Sequence, residues 1–316
     1  MASLTTTAAP PPTTAPRRTG RPRPTRREGG LAGPAMIAPF ALFYVVFLAG
    51  PVIYTFVAGF FDSSLLTGGL GDWAGFSNYA DALSDAEFWR TLKHTLWFTV
   101  LTTVPLVVLA LALAVLADRF VRGRWFIRFA FFAPFVVPSA VVSLLFMYIY
   151  ADQVGLAQDV VKLFGVDTPP SWLGDPDWTL VSIAAATVWW TIGFNFVLYL
   201  AALQDIPRDV HEASAIDGAG PWQRIRHIIL PMLGRTTTLV AVLQVIASLK
   251  VFDQIYMMTG GGPDGASRPS LQLIYDTGFT EGRIGYASTV SFLLFVVILL
   301  VSLVWFALVR RTEKER

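Results

Sequence analysis

The sequence predicts an all-α, polytopic membrane protein with six transmembrane helices. Hydrophobic residues make up 54% of its 316 residues and charged residues only 15%, a balance typical of membrane-embedded rather than water-soluble chains. A helix needs roughly 20 residues to cross a hydrocarbon core of about 30 Å. Six apolar runs meet that length, at residues 34–61, 94–117, 128–150, 179–203, 236–258 and 286–309.

The first 30 residues differ in composition from the rest. They contain Ala, Thr and Pro followed by RRTGRPRPTRR, so they offer nothing that could pack into a core. We expect residues 1–30 to be a disordered, basic cytoplasmic tail and residues 31–316 to form one membrane domain. A nucleic-acid-binding arm is the alternative use of such a tail. A cleaved signal peptide is disfavoured because the apolar stretch from Leu31 to Phe61 is too long.

Several predicted spans contain proline. A proline costs a soluble helix about 3 kcal/mol, but neighbouring helices in a membrane can satisfy the backbone groups that it frees. We therefore expect the spans to tolerate these residues, which are Pro39, Pro51, Pro105, Pro134 and Pro138.

Lys and Arg are distributed unequally between the two sides of the spans. Eighteen of the 24 flank the side that carries both termini, and five lie on the other side. Cytoplasmic loops carry the excess of Lys and Arg, so both termini and the loop between the fourth and fifth spans are predicted to be cytoplasmic. The protein is expected to be a multi-pass protein of the cell membrane.

The loops on the opposite side are acidic, and Trp73, Trp172 and Trp178 lie within them or near their ends. Trp is enriched at the depth of the lipid headgroups. Two interpretations of the acidic residues stay open: they are simply tolerated outside, or they form a surface for an extracytoplasmic partner.

The loop at residues 205–235 is polar and rich in small residues, although it separates two long apolar runs. Pro207 can begin a short helix, because its missing N–H would be unpaired in the first turn anyway. Gly218, with a second glycine two residues on, is expected to end that helix. Apolar and polar residues then alternate from Trp222 to Leu230 as in an interfacial helix, which Pro231 is expected to end or kink.

Three groups of residues in this loop carry a family resemblance. Glu212-Ala213-Ser214 is followed by Asp217-Gly218-Ala219 and then, after eight intervening residues, by Ile228-x-Leu230-Pro231. The pattern resembles the signature loop of bacterial ABC importer permeases, which work in binding-protein-dependent transport. Ser214 stands where Ala is usual, and Arg235 where a proline often follows.

The resemblance covers the whole chain after the tail. SLKVFDQIYMMTGGGP, from Ser248 to Pro263, is similar to the subfamily for carbohydrates and related polyols or glycerol phosphates. The resemblance therefore implies the permease subunit of an ATP-driven importer for a sugar or a related polyhydroxylated solute.

In that family the loop forms a cytoplasmic coupling helix that sits in a cleft of a separate ATPase subunit. Here the ATPase is expected to dock on a helix at residues 211–222, with the Glu position reaching a basic partner. The residues that the resemblance assigns to coupling are Glu212, Ala213, Ser214, Asp217, Gly218 and Ala219.

The resemblance also implies a set of partners. These are a second, homologous permease, two copies of the ATPase subunit, an extracytoplasmic solute-binding protein, the lipid bilayer and the sugar-like solute, with no nucleic acid. No cofactor is expected in this chain, because ATP and Mg would be bound by the ATPase.

Enzymatic sites are disfavoured. The chain has no cysteine and no GxxxxGK[ST], and TGGGP at residues 259–263 lacks the Lys that must reach a phosphate, so it is interpreted as a turn. His211, Glu212 and His227 do not form the HExxH face of a zinc protease. No catalytic residue, metal ligand or ATPase site is therefore assigned.

Polar and aromatic residues of the fourth and fifth spans are candidates for a solute path. Lys250 and Asp253 are three residues apart, which places them on one face of a continuous helix. A charge at mid-bilayer costs about 2.5–3.5 kcal/mol on insertion scales, so both should be paired or face an aqueous cavity. They either contact the solute or only position the helices. The candidate path residues are Trp190, Asn195, Tyr199, Ser248, Lys250, Asp253 and Tyr256.

The alternative from another class is a proton-coupled secondary transporter in which Lys250 and Asp253 relay protons. It would need no ATPase. A membrane enzyme is the least favoured of the three classes, because no nucleophile, base and orienting group are expected at the same depth in the membrane.

Overall fold

The computed structural model describes residues 32–66, 68–118 and 124–314. The predicted tail at residues 1–30 lies outside them. The described chain is helical, with one short ladder in which β1 (Phe61–Asp62) pairs antiparallel with β2 (Asp72–Trp73). The all-α fold class is confirmed.

The helices follow one another with short connections. In chain order they are α1 (Ala32–Tyr44), α2 (Gly50–Ala58), α3 (Ser77–Ser84), α4 (Ala86–Asp118), α5 (Arg124–Val136), α6 (Ser139–Ile149), α7 (Leu156–Leu163), α8 (Pro176–Gln204), α9 (Arg208–Ile216), α10 (Pro221–Arg224), α11 (Leu230–Met232), α12 (Gly234–Leu249), α13 (Asp253–Thr259), α14 (Ser270–Tyr275) and α15 (Ile284–Lys314). π-helical turns join α1 to α2, join α10 to α11 and follow α14; they are Val45–Ala49, Ile225–Ile229 and Asp276–Thr280.

Four helical stretches are long and apolar enough to cross a membrane. They are Met36–Ala58, α4, α8 and the part of α15 from Ile284 to Val304, and they match the first, second, fourth and sixth predicted spans. Two bent helix pairs raise the number to six if each pair counts as one span. The chain is a multi-pass membrane protein.

The third predicted span, residues 128–150, is broken. α5 and α6 meet at an angle of 95° around Val137 and Pro138. Pro138 has an extended ψ of 142°, and a proline disfavours the helical conformation in the residue before it. The expectation that this span tolerates Pro138 as one helix is therefore wrong, whereas helices do run through other prolines, at Pro39, Pro105 and Pro134.

The fifth predicted span, residues 236–258, is also broken. α12 ends at Leu249, where Lys250 N donates to Ala247 O at 3.2 Å and Val251 N to Ser248 O at 3.1 Å. These i to i+3 bonds tighten a last helical turn. Phe252, with a φ of −148°, then leaves the helical region before α13 begins. Lys250 and Asp253 consequently do not share one helical face, and that expectation is wrong.

Three buried apolar clusters hold the helices together. The first joins α4, α6, α8 and α13, and the third joins α3, α4, α14 and α15. The second cluster joins α4, α8 and α12 to the loop at residues 205–235. That cluster physically connects the loop with the membrane-embedded part of the chain.

α5 and α8 cross in very close contact. A Cβ added at Gly193 of α8 would collide with the backbone of Phe131 and Phe132 in α5. Only glycine permits this approach of two backbones. The position of α5 against α8 therefore depends on a single missing methyl group.

Candidate functional site

A polar cavity of about 290 Å³ lies where α12 gives way to α13. Its walls come from α4, α6, α8, α12, α13 and α14. The lining residues are Phe98, Ser139, Thr187, Trp190, Thr191, Gln244, Ala247, Ser248, Lys250, Val251, Phe252, Asp253, Gln254 and Leu271. We call this set the polar cavity.

Four of the seven predicted path residues line the polar cavity: Trp190, Ser248, Lys250 and Asp253. Asn195 and Tyr199 do not, because both side chains are fully buried at 0% exposure. Tyr256 lies outside the cavity wall, with its ring 5.5 Å from that of Tyr275.

Two glutamine side chains in the cavity wall are each fixed by one hydrogen bond. Gln244 Nε2 donates to Oδ1 of the buried Asn195 at 3.0 Å. Gln254 Oε1 accepts from Thr187 Oγ1 at 2.7 Å, and among the described residues the buried Nε2 of Gln254 has no partner. Asn195 therefore does not line the cavity itself but orients Gln244, which does.

Trp190 and Ser248 are also held in place. The indole N–H of Trp190 donates to Val137 O at 3.0 Å, at the bend between α5 and α6. The hydroxyls of Ser248 and Thr102 share a hydrogen bond of 2.8 Å between α12 and α4. The cavity therefore presents one oriented aromatic face and several oriented hydroxyls and amides.

Lys250 and Asp253 both border the cavity and both are exposed. Among the ion pairs of the described residues none joins the two, and Asp253 Oδ2 instead accepts a long hydrogen bond of 3.5 Å from Ser139 Oγ. The geometry does not support a proton relay that depends on a paired Lys250 and Asp253 on one helix.

Sequence reasoning missed the cavity residues Thr187 and Gln244. Each of them is a single polar residue within an apolar or mixed stretch. The charge at Lys250 and the pair of aromatic residues near Trp190 drew attention to the same region, but periodicity alone does not reveal which polar residues meet across helices.

α9 has two distinct faces. Asp209, Glu212, Ala213 and Ile216 recur at the spacing of one helical face, and all four are exposed, Ile216 at 86%. On the opposite face, Ser214 is only 4% exposed. The exposed face, which we call the docking face, is acidic with one large apolar side chain.

The predicted coupling residues divide between these surroundings. Glu212, Ala213, Asp217 and Gly218 are exposed, Ala219 is half-buried, and the buried Ser214 faces the protein. Ile216 was missed, although a single Ile beside acidic residues in a short polar helix could have indicated it.

The expected helix at residues 211–222 is wrong, because the structure has two helices there. α9 ends at Ile216, where Gly218 adopts a φ of +72° and Ala219 N donates to Ser214 O at 3.0 Å. A left-handed glycine followed by such a bond is a common helix terminus. Gly218 thus ends the helix as predicted, and α10 starts afresh at Pro221.

The stretch from Pro221 to Met232 behaves as one helix with a π-helical turn. Ile229 is buried in the second cluster and Ile225 packs against it, whereas Trp222 is 70% exposed. Pro231 lies inside α11, and the chain bends by 64° between this stretch and α12. The predicted alternation of apolar and polar residues therefore gives an inner and an outer face.

The loop at residues 205–235 is anchored to the core from both of its halves. Ile206 and Ile229 are buried in the second cluster, Val210 packs against it, and Leu233 is 1% exposed at the start of α12. α12 then leads directly to the polar cavity through Gln244 and Ser248. The docking face and the cavity are linked by one packed helix.

On the other side of the cavity, TGGGP forms the predicted turn. Gly260 and Gly261 have φ values of +61° and +88°. Arg268 fixes the end of this segment, since its Nη1 lies 3.2 Å from Glu87 Oε1 and its Nη2 lies 2.6 Å from Asp276 Oδ2. The turn is thereby attached to the start of α4.

Comparison with known proteins identifies relatives along most of the chain. A family model described as "Binding-protein-dependent transport system inner membrane component" matches residues 106–314. The sulfoquinovosyl glycerol transport system permease protein of Agrobacterium fabrum is 30% identical over 278 residues, which cover 88% of this chain and 90% of that protein. The trehalose/maltose transport system permease protein of Thermococcus litoralis is 34% identical over 88% of this chain and 93% of its own length.

The fold has a counterpart among solved structures. A chain of a bacterial ABC transporter involved in the import of the acidic polysaccharide alginate superposes with a TM-score of 0.76. It is 23% identical, and the match covers 89% of this chain and 95% of that one. At this identity the similarity shows the fold alone.

Proposed function

Because the chain belongs to the family of inner membrane components of binding-protein-dependent transport systems, we propose that it is the permease subunit of an ATP-driven importer for a sugar or a related polyhydroxylated solute. One observation carries the choice of solute. The polar cavity combines the indole of Trp190 with amides that are oriented by Thr187 and Asn195.

These groups suit a polyhydroxylated molecule. An aromatic ring packs on the apolar face of a sugar, and a few oriented polar groups select its hydroxyls. Gln254 Nε2 lacks a partner in the described part of the chain, and an unpaired buried donor costs about 1–3 kcal/mol. A solute hydroxyl would give that donor a partner.

We place the contact with the ATPase on the docking face of α9. Asp209 and Glu212 suit a basic cleft, and Ile216 offers an exposed apolar anchor at the end of α9. Charge pairs of this kind steer association, while the buried apolar side chain contributes most of the binding free energy. ATP and Mg are held by that ATPase, and this chain supplies no hydrolytic site.

Closure of the ATPase moves α9, and the motion reaches the solute through packed side chains. Ile229 and Leu233 carry it from the loop to α12, which ends at the polar cavity. Coupling between two sites requires two states that both ligands distinguish. Here the states are an outward and an inward opening of the cavity.

The assembly comprises this chain, a second homologous permease, two ATPase copies and a solute-binding protein. Membership of the family of binding-protein-dependent transport systems supports the solute-binding protein as a partner. The Lys and Arg excess supports an orientation in which both termini and the docking face are cytoplasmic.

Uptake by proteoliposomes that contain the assembled transporter tests the proposal. A radiolabelled sugar should enter with internal ATP, with the binding protein outside, and with no proton gradient. Uptake that needs a proton gradient and ignores ATP would contradict the proposal and favour the proton-coupled alternative.

Variants of the docking face sharpen the test. Glu212→Ala and Ile216→Ser should leave membrane insertion intact and lower both uptake and sugar-stimulated ATP hydrolysis by about tenfold or more, the size expected for central interface residues. Met232→Ala, which changes an exposed residue outside α9, is the control. Normal uptake by both docking-face variants would remove the coupling role from α9.

A further inference from the structure

α7 (Leu156–Leu163) is a short amphipathic helix with an apolar face whose side chains are at least half exposed in the described chain. Leu156, Val160 and Leu163 share one face and are exposed, Leu163 at 85%. Phe164, which follows the helix, is exposed as well. Asp159, three residues after Leu156 and four before Leu163, borders this face, whereas Lys162 lies farther round the helix toward its polar side.

The opposite side of α7 is attached to the fold. Ala157 packs against the first cluster, and Gln158 is buried with its Nε2 donating to Pro170 O at 3.2 Å. The helix is therefore fixed in orientation, and its exposed apolar face is a lasting property of the surface.

The depth of α7 follows from α8. At 1.5 Å per residue the 29 residues of α8 span about 44 Å, which exceeds a hydrocarbon core of about 30 Å. The ends of α8 therefore extend into the headgroup regions. At its first end, Trp178 is exposed and its ring lies 5.6 Å from that of Trp172, as in the aromatic belts at membrane interfaces.

α7 is held at this same level. Tyr150, the residue after α6, donates its hydroxyl to Ser182 O at 3.0 Å, and Ser182 is six residues, about 9 Å, into α8. Gly155 then turns the chain so tightly that a Cβ there would collide with the carbonyl oxygen of Ile149, so α7 starts directly beside the end of α6. Both contacts place α7 near the boundary between hydrocarbon and headgroups.

We infer that α7 lies in the lipid headgroup region, at the end of α8 opposite the docking face, with Leu156, Val160 and Leu163 inserted toward the acyl chains. An amphipathic helix buries its apolar face about 5–10 Å into this boundary while its polar face remains in water. The exposed apolar surface continues from α6, where Leu144 and Tyr148 are also exposed. The inference does not depend on the solute or on the ATPase.

The absence of cysteine from the sequence makes the test direct. Leu156→Cys and Leu163→Cys report on the apolar face, and Lys162→Cys is the matched control on the polar edge. Each full-length variant is labelled with bimane and reconstituted in nanodiscs whose lipids carry a spin label near the glycerol end of the acyl chains. Iodide serves as the quencher in water.

We expect the lipid spin label to quench positions 156 and 163 about threefold more strongly than position 162, with the reverse order for iodide, because only the apolar face enters the bilayer. If iodide quenches all three alike and the lipid label quenches none, α7 lies in water and the inference is wrong. If neither quencher reaches 156 and 163, protein covers the helix, and the lipid assignment is equally wrong. Val160→Cys repeats the measurement should one reporter disturb the helix.

Discussion

Thr187 Oγ1 donates a hydrogen bond of 2.7 Å to Gln254 Oε1, so a residue of α8 orients the amide of a residue 67 positions later in α13. The bond joins two walls of the polar cavity. It therefore determines which end of the Gln254 amide is available to a solute.

Thr187→Val should weaken solute binding and leave the fold intact. The change removes one hydroxyl and frees the Gln254 amide, a loss of about 1 kcal/mol, which corresponds to a roughly fivefold higher KM for uptake. The Vmax at saturating solute should change little. Thr238→Val is the matched control, since Thr238 Oγ1 donates to Gly234 O within α12, away from the cavity. An unchanged KM in Thr187→Val would exclude Gln254 from solute recognition.

The effect of a substitution at Gly218 should depend on whether the new residue tolerates a positive φ, and not on the size of its side chain. No atom lies within 4 Å of a Cβ built at this residue, but its φ of +72° is in the left-handed region. Valine there costs roughly 1–2 kcal/mol or more, whereas asparagine tolerates this region. Gly218→Val should therefore unwind the end of α9, seen as faster hydrogen exchange of the Asp217 and Ala219 amides, and reduce stimulated ATP hydrolysis. Gly218→Asn should retain both properties, and equal effects of the two variants would rule out this explanation.

The effect of a substitution at Gly193 should depend on the size of the new side chain. An added methyl group at Gly193 meets the backbone of Phe131, which cannot rotate away. We expect Gly193→Ala to lower the free energy of unfolding by about 1–3 kcal/mol, measured as a lower Tm of the purified protein. Gly220→Ala adds the same group where the nearest atom is 3.7 Å away, so its effect should be smaller. A Tm for Gly193→Ala at or above that of Gly220→Ala would show that α5 and α8 can move apart freely.

Arg268 should contribute more to the stability of the fold than Arg283, although both form ion pairs. Arg268 is about a quarter exposed and bridges Glu87 and Asp276. Arg283 is more than half exposed and reaches Glu281 only at 3.9 Å. Arg268→Gln should cost about 1–3 kcal/mol and speed hydrogen exchange in residues 260–269, because charged hydrogen bonds are lost. Arg283→Gln should change stability by less than about 1 kcal/mol. If hydrogen exchange in residues 260–269 is equally fast in the two variants, the ion pairs of Arg268 do not stabilise this segment.

The sequence predicts those parts of the fold that depend on local chemistry. Long apolar runs indicate α4, α8 and α15, and Gly218 ends α9 because a left-handed residue there is best provided by glycine. In the polar cavity, Lys250 was identified because a charge stands out against an apolar run.

The error in the fifth span and the missed cavity residues concern features that depend on tertiary structure. The break between Leu249 and Asp253 contains neither glycine nor proline, so no local sequence signal predicts it. A helix can end there because the freed backbone faces a cavity, where irregular structure is tolerated within a membrane. The roles of Thr187 and Asn195 depend on partners 67 and 49 residues away, respectively, which no periodicity reveals.

The interruption at residues 250–252 has a mechanical consequence. A continuous helix can change the width of a neighbouring cavity only by bending, which strains its own hydrogen bonds. Here α12 packs with α4, α8 and the loop at residues 205–235, whereas α13 packs with α6, α8 and Phe98 of α4. The two helices can therefore change the angle between their axes by rotation at residues 250–252. The polar cavity can thus open or narrow without the loss of any hydrogen bond inside either helix.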